Sequence, residues 1–294
     1  MKVLLTGRSG QVGWELERTL APLGSLTACG HAELDLANPD AIRARVHEFR
    51  PDVIVNAGAY TAVDLAEAEA DQAQAINGVA PGVLAEEALR RSALLIHYST
   101  DYVFDGSKRG AYVEGDAVNP LNVYGRTKLA GECAVQEHGG RYLIFRTSWV
   151  YAARGRNFLN TIRRLIRERE SLNVVNDQIG APTWARLVAE ATAQIVAMLN
   201  SRRQGSRPDV PSGIYHLTSA GETSWYDWAR AIAAIEGERG APVACDIRPV
   251  PTEQYPTPAR RPLNSRLDCS ALQREFGLAL PDWEWALRAA TETG

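Results

Sequence analysis

Tyr124 and Lys128 stand four positions apart in "NVYGRTKLAGE", residues 122–132, a segment that reads as the opening of a helix. Helical geometry then puts both side chains on one face, a single turn from each other. Taken alone, the pair has two readings. It is a packed aromatic beside a solvated lysine, or a phenol whose proton is made easier to release by a neighbouring ammonium. A phenol of pKa about 10 is a sluggish acid near neutrality, so only a tuned one suits general acid catalysis.

Three further segments bear on that choice. "TGRSGQVG" carries Gly7, Gly10 and Gly13 between an apolar run and a helical pattern. Glycines in such a turn let backbone N–H groups approach a pyrophosphate at a positive helix end, although any tight strand-to-helix turn can use them. "NAGAYTAVD" (56–64) offers the small residues Ala57, Gly58 and Ala59, and "HYSTDYVFDG" (97–106) brings hydroxyls at Ser99 and Thr100. Each segment follows a strand candidate, and open α/β sheets bind ligands at the carboxyl ends of their strands.

The elements that must hold these residues are legible in outline. "KVLLTG" (2–7), "SLTAC" (25–29), "DVIVNAG" (52–58), "ALLIHYS" (93–99) and "YLIFRTS" (142–148) read as strands separated by helical patterns. Runs apolar on both faces, alternating with helices, imply a doubly wound α/β domain with a parallel sheet covered on both sides. After residue 150 the alternation loosens. "NFLNTIRRLIRERE" and "WARLVAEATAQIVAMLN" read as helices, 201–213 as an exposed polar loop, "IYHLTS" as a strand, and Ser224 as the N-cap of another helix. The expected organisation is a dinucleotide-binding domain over 1–150, with parts of about 184–220 returning to it. A smaller C-terminal substrate-binding lobe would take 151–183 and 221–294.

Composition narrows the function. A formal net charge of −3, with no run of Lys or Arg, does not suit nucleic acid. The apolar run at the N-terminus meets glycine too soon for a signal-peptide core, and no stretch is long enough to span a membrane. The four cysteines, Cys29, Cys133, Cys245 and Cys269, show no C-x-x-C spacing, which fits a reduced, cytoplasmic protein.

In order along the chain, the glycine turn, the Asn-Ala-Gly turn, the Ser-Thr strand end and Tyr-x-x-x-Lys resemble the extended short-chain dehydrogenase/reductases. "STDYVFDG", "NPLNVYGRTKLAGE", "FRTSWVYA", "NDQIGAPT" and "TPARRPLNSRLD" are similar, more narrowly, to the dTDP-4-dehydrorhamnose reductase family. That resemblance implies reduction of a dTDP-sugar ketone with NADPH or NADH, in the last step of dTDP-L-rhamnose synthesis. It implies Thr100, Tyr124 and Lys128 as the catalytic triad. Gly7, Gly10, Gln11, Val12 and Gly13 would cradle the pyrophosphate, Asp35 and Leu36 the adenosine side, and Ala59, Tyr60 and Thr61 the nicotinamide half. Asp101 and Trp149 would line the sugar-nucleotide site, with Arg260, Arg261, Asn264 and Ser265 in a segment able to close over it. By the same resemblance the cofactor supplies hydride, Tyr124 the proton, and Thr100 a hydrogen bond to the ketone oxygen, while Lys128 lowers the phenol pKa.

Two rivals remain: an epimerase or 4,6-dehydratase on another nucleotide sugar, and a non-catalytic dinucleotide-binding subunit. The dehydratase pattern wants a Glu after the acid that follows the catalytic threonine, and here Tyr102 follows Asp101. A divalent metal is not expected, because Arg186 stands where a carboxylate would be needed to join Glu15. A homodimer is left open. NADPH is expected to be preferred: Cys29, Gly30 and His31 place no carboxylate at the tip of the second strand, and Arg8 can reach a phosphate. Glu33 is the acid nearest to that tip.

Overall fold

The computed structural model describes residues 1–202, 212–241 and 245–292. Residues 203–211 of the polar stretch 201–213 expected as a loop therefore lie outside the described residues, and the helix before them runs Ala185–Arg202. Six parallel strands form the main sheet: β1 (Lys2–Thr6), β2 (Ser25–Cys29), β3 (Val53–Asn56), β4 (Leu94–Thr100), β5 (Arg141–Thr147) and β6 (Gly213–His216), in the order 6-5-4-3-1-2. The chain starts at β1, works outward to β2, and then crosses to β3 on the other side. The β1/β3 boundary is thus a topological switch point, where a crevice must open at the strand ends.

Alternate residues of each strand face opposite layers. Val3, Leu5, Val55, Ile96 and Phe145 pack with Leu16 and Leu20 of the helix Gln11–Leu20 and with Val188 and Ile195 of Ala185–Arg202. Leu4, Ile54, Leu95 and Ile144 pack on the other face with Ile42, Leu84 and Val135, from the helices Pro39–Phe49, Ala80–Arg90 and Val123–His138. Burial on both faces is why these strands are apolar throughout rather than alternating.

A separate apolar cluster gathers Tyr151, Leu159, Trp184, Trp228, Ile232 and Trp283. It is built on the helices Phe158–Glu168, Trp225–Glu238 and Trp283–Glu292, beside the parallel strand pair Ser171–Val175 and Asp246–Val250. Ser224 caps its helix as expected, its side chain accepting from Asp227 N at 2.9 Å. Among the described residues, no helix is long and apolar enough to cross a membrane.

Candidate active site

A crevice of about 770 Å³ opens along the carboxyl ends of the strands. Gly7, Gly10, Gln11 and Val12 line it after β1, Ala59 and Thr61 after β3, Thr100 and Asp101 at the end of β4, and Trp149 after β5; Leu36, Tyr124 and Lys128 complete the wall. The glycine turn is a close-packed cradle. Gly7 has φ +76°, and a Cβ there would lie 2.4 Å from Gly58 N. A Cβ on Gly13 would lie 2.0 Å from Gly7 O, so Gly13 supports the turn from behind rather than facing the crevice. The helix Gln11–Leu20 begins at Gly10 with no side chain capping its first N–H groups. Those free donors and the helix dipole suit an anion such as a pyrophosphate.

Two other expected residues turn away from the wall. Asp35 accepts from Ala37 N at 2.9 Å, an Asx turn that spends its carboxylate on its own loop. Tyr60 donates its hydroxyl to Glu69 Oε2 at 2.6 Å, and Asn77 clamps its backbone on both sides. Nor does the segment holding Arg260, Arg261, Asn264 and Ser265 line the crevice. It braces the wall from outside instead. Arg261 pairs with Asp64 at 2.8 Å, Asn264 Nδ2 donates to Lys108 O and Gly110 O, and Ser265 hydrogen-bonds the Asp101 side chain. Arg186 pairs with Glu190 on its own helix.

The tip of β2 differs from expectation too. Glu33 folds back so that its Oε2 accepts from Gly30 N at 2.8 Å, which puts a carboxylate at the tip after all. Arg8 flanks the same spot but is held to Glu17 at 3.1 Å. Glu33, the acid nearest to that tip in the sequence, is brought back over Gly30 by the turn after β2.

Tyr124 and Lys128 share one face of the helix Val123–His138, as their spacing requires. The start of that helix is firmly set. Asn122 accepts from Gly125 N at 2.8 Å and donates to Arg260 O at 2.8 Å, while a Cβ on Gly125 would lie 2.2 Å from Tyr102 O. Lys128 is only 2% exposed, and burial lowers its pKa to about 8, with Glu132 opposing that fall. Its Nζ finds its partners on β4. It donates to Tyr98 O at 2.5 Å and lies 3.4 Å from His97 Nε2. Tyr124 is pushed up to about 12 by burial, against a lowering hydrogen bond with Thr100. The expected tuning of Tyr124 by Lys128 is thus not what holds the phenol in this arrangement; desolvation governs it.

Thr100 accepts from Tyr102 N at 3.1 Å and donates to Asp101 Oδ1 at 3.0 Å. Burial raises Asp101 to about 7, against lowering hydrogen bonds from Ser265 and Thr100. Across the crevice Trp149 sits at φ +48°, a left-handed conformation that an aromatic residue adopts only under constraint. Its ring stacks on Trp225 at 3.8 Å, and a Cβ on Gly180 would lie 2.7 Å from Trp149 Cε2. The "RTSWVY" and "NDQIGAPT" segments therefore belong together physically: the second supplies the glycine over which the tryptophan of the first lies. Trp225 and Phe158, which also line the crevice, were not singled out from the sequence. Both follow helix caps, Ser224 and Asn157, but nothing in their spacing marks them as wall residues.

The sequence pattern of the RmlD substrate binding domain matches residues 1–293. The chain belongs to the dTDP-4-dehydrorhamnose reductase family. A dTDP-4-dehydrorhamnose reductase of Burkholderia thailandensis is 51% identical, across 98% of this chain and 97% of that protein. Two solved reductase structures, each 34% identical and covering 100% of this chain and 99% of their own, share its fold. That of Clostridium acetobutylicum has a TM-score of 0.91; that of Bacillus anthracis, in complex with NADP, has 0.88. Family membership makes the crevice the place to seek reductase chemistry.

Proposed function

We propose that the protein reduces the C4 ketone of dTDP-4-dehydro-β-L-rhamnose to dTDP-L-rhamnose, with NADPH and NADH as cofactors. One observation carries this reading: the glycine cradle, the Thr100–Tyr124–Lys128 cluster and the Trp149 wall line a single crevice. The cradle fits a dinucleotide, because its glycines leave room only for backbone and its helix end offers unpaired N–H donors. Gly7, Gly10, Gln11 and Val12 would hold the pyrophosphate, and Leu36, Ala59 and Thr61 the rest of the nucleotide. When bound, the nicotinamide supplies the hydride.

The chain's own groups manage the proton. Tyr124 donates to the carbonyl oxygen as negative charge develops there, a strong enough base to take a proton even from a phenol raised by burial. Thr100 has one proton, and an ionised Asp101 occupies it. Once Asp101 is protonated, the Thr100 hydroxyl is free to turn to the substrate oxygen and stabilise the developing alkoxide. Lys128, with one donor on Tyr98 O and one near His97, keeps a third for the crevice. Trp149 and Trp225 give the sugar nucleotide an aromatic wall. We assign the nucleotide cradle and Trp149 to the sheet domain and Trp225 to the smaller lobe. A dehydratase reading finds no support at residue 102, where Tyr102 packs edge-on against Tyr124 at 5.6 Å.

The test is NAD(P)H oxidation by purified protein with dTDP-4-dehydro-β-L-rhamnose, followed at 340 nm. Turnover with both cofactors is expected, since Arg8 and Glu33 flank the β2 tip together. Folded, cofactor-binding protein that oxidises neither would overturn the proposal and favour the non-catalytic subunit.

A further inference from the structure

Thr6, Asn56 and His97 are register partners on the adjacent strands β1, β3 and β4. Each is 1% exposed, and all three project from the same sheet face toward the helix that carries Lys128. They form a buried ladder. Thr6 Oγ1 lies 2.6 Å from Asn56 Oδ1, Asn56 Nδ2 lies 3.0 Å from His97 Nδ1, and His97 Nε2 lies 3.4 Å from Lys128 Nζ. Polar groups this deep in a core are costly unless every one is satisfied. None of the three touches the crevice.

We propose that His97 is a positioning residue for the reduction, its Nε2 accepting from the Lys128 ammonium so that the third N–H of that ammonium stays aimed into the crevice. The donor count supports this. An ammonium has three donors and no acceptor, and Tyr98 O takes one of them. A neutral imidazole offers Nε2 as acceptor only when its proton is on Nδ1. Nδ1–H in turn needs the carbonyl oxygen of Asn56, whose amide NH₂ then donates to Thr6. As placed, the ladder runs the opposite way: Thr6 donates to Asn56 Oδ1 and Asn56 Nδ2 to His97 Nδ1, which leaves Nε2–H facing Lys128 and suits the amine, so the ammonium state requires the Asn56 amide to turn over. The ladder thus matches each charge state of Lys128 with one direction. Burial and the nearby Lys128 charge keep His97 neutral, as either direction requires. Besides His97, Glu132 acts on Lys128 from one turn along its own helix, with Tyr124 one turn back, and Arg146 on β5 pairs with Glu132.

The inference rests on the reductase reading for its kinetic test but not for its spectroscopic one. In ¹⁵N-histidine-labelled protein without substrate, the His97 resonances, identified by their loss in His97→Gln, should show a bare Nε2 and a protonated Nδ1 at pH 6. A protonated Nε2 there, where Lys128 holds its charge, would overturn the proposal whatever the substrate is. In turnover, His97→Leu should lower kcat roughly ten- to hundredfold, the size of a lost hydrogen bond to a charged group, with little change in sugar-nucleotide KM. The basic limb of its pH profile should move to lower pH, because the ammonium loses an acceptor. His97→Gln, whose carbonyl reaches the Nε2 position, should restore most of both. Wild-type kcat and pH profile in a folded His97→Leu enzyme would refute the role, as would equal loss in the Gln and Leu variants.

Discussion

Replacing Glu132 by Gln should cost far more than a surface charge would. Glu132 and Arg146 are 1% and 3% exposed, and they meet through two hydrogen bonds of 2.9 and 2.6 Å. Removing one partner leaves the other as a buried, uncompensated charge, a loss of about 3–5 kcal/mol. Arg146 keeps only a 3.4 Å contact with Glu114 O and the Phe104 ring face at 5.1 Å, neither of which replaces a carboxylate. At about 2 °C per kcal/mol for a chain of this size, the midpoint of thermal unfolding should fall by roughly 6–10 °C. Glu132 is also one turn beyond Lys128 and favours its charged form. Losing that charge should therefore move the basic limb of kcat/KM to lower pH. The double variant Glu132→Met with Arg146→Met should recover much of the stability, since burying two apolar chains is no worse than burying a pair of ions. Urea and thermal unfolding of Glu132→Gln, of the singles Glu132→Met and Arg146→Met, and of the double variant measure this. A Glu132→Gln loss below about 1 kcal/mol, or a double loss equal to the sum of the singles, would refute the reasoning.

Tyr124→Phe should lose about 10²–10⁴-fold in kcat while binding NADPH normally by fluorescence titration, because only the acidic hydroxyl is removed. Gly180→Ala should raise the sugar-nucleotide KM and spare cofactor affinity: the new methyl meets a Trp149 ring already fixed against Trp225, a strain of about 1–3 kcal/mol. For Asp101 the sign follows from its folded pKa of about 7, above the ordinary 3.8, so the folded state holds a proton that the unfolded chain releases first. Wild-type stability should then decline as pH rises from about 4 to 7, relative to Asp101→Asn, by up to about 4 kcal/mol; a pH-independent difference in urea unfolding would contradict the assignment.

What could be seen in the sequence was what local spacing encodes. Gly7, Gly10 and Gly13 share one turn, and Tyr124 and Lys128 share one helix face, so their relation needs no tertiary knowledge. Alternating strands and helices likewise announced the doubly wound sheet. Thr100, Asp101 and Trp149 reached the crevice because strand ends must lie there in an open α/β sheet. Other relations depend on the fold. Asp35 and Tyr60 were assigned by position in a motif, yet each found a nearer partner, a loop amide for one and Glu69 for the other. Glu33 is visible in the sequence as the acid nearest to the β2 tip, but only the turn after β2 sets its contact with Gly30 N.

The ladder beneath Lys128 shows why such relations stay hidden. In "ALLIHYS", His97 looks like one polar interruption of a buried strand, and Asn56 reads the same way in "DVIVNAG". Only register makes them neighbours. In a half-exposed strand, alternation of apolar and polar residues fixes which side chains face the core. Strands buried on both faces carry no such alternation, so a slip of one residue would leave the apolar pattern nearly as good. It would not leave the chemistry intact. Shifting β4 by one position would send His97 to the face where Tyr98 now packs with Phe145, and would strand Lys128 beside hydrocarbon. The polar ladder thus supplies register information that the apolar residues lack. Thr6, Asn56 and His97 can be paired in only one alignment, the same one that brings the end of β4 level with Tyr124.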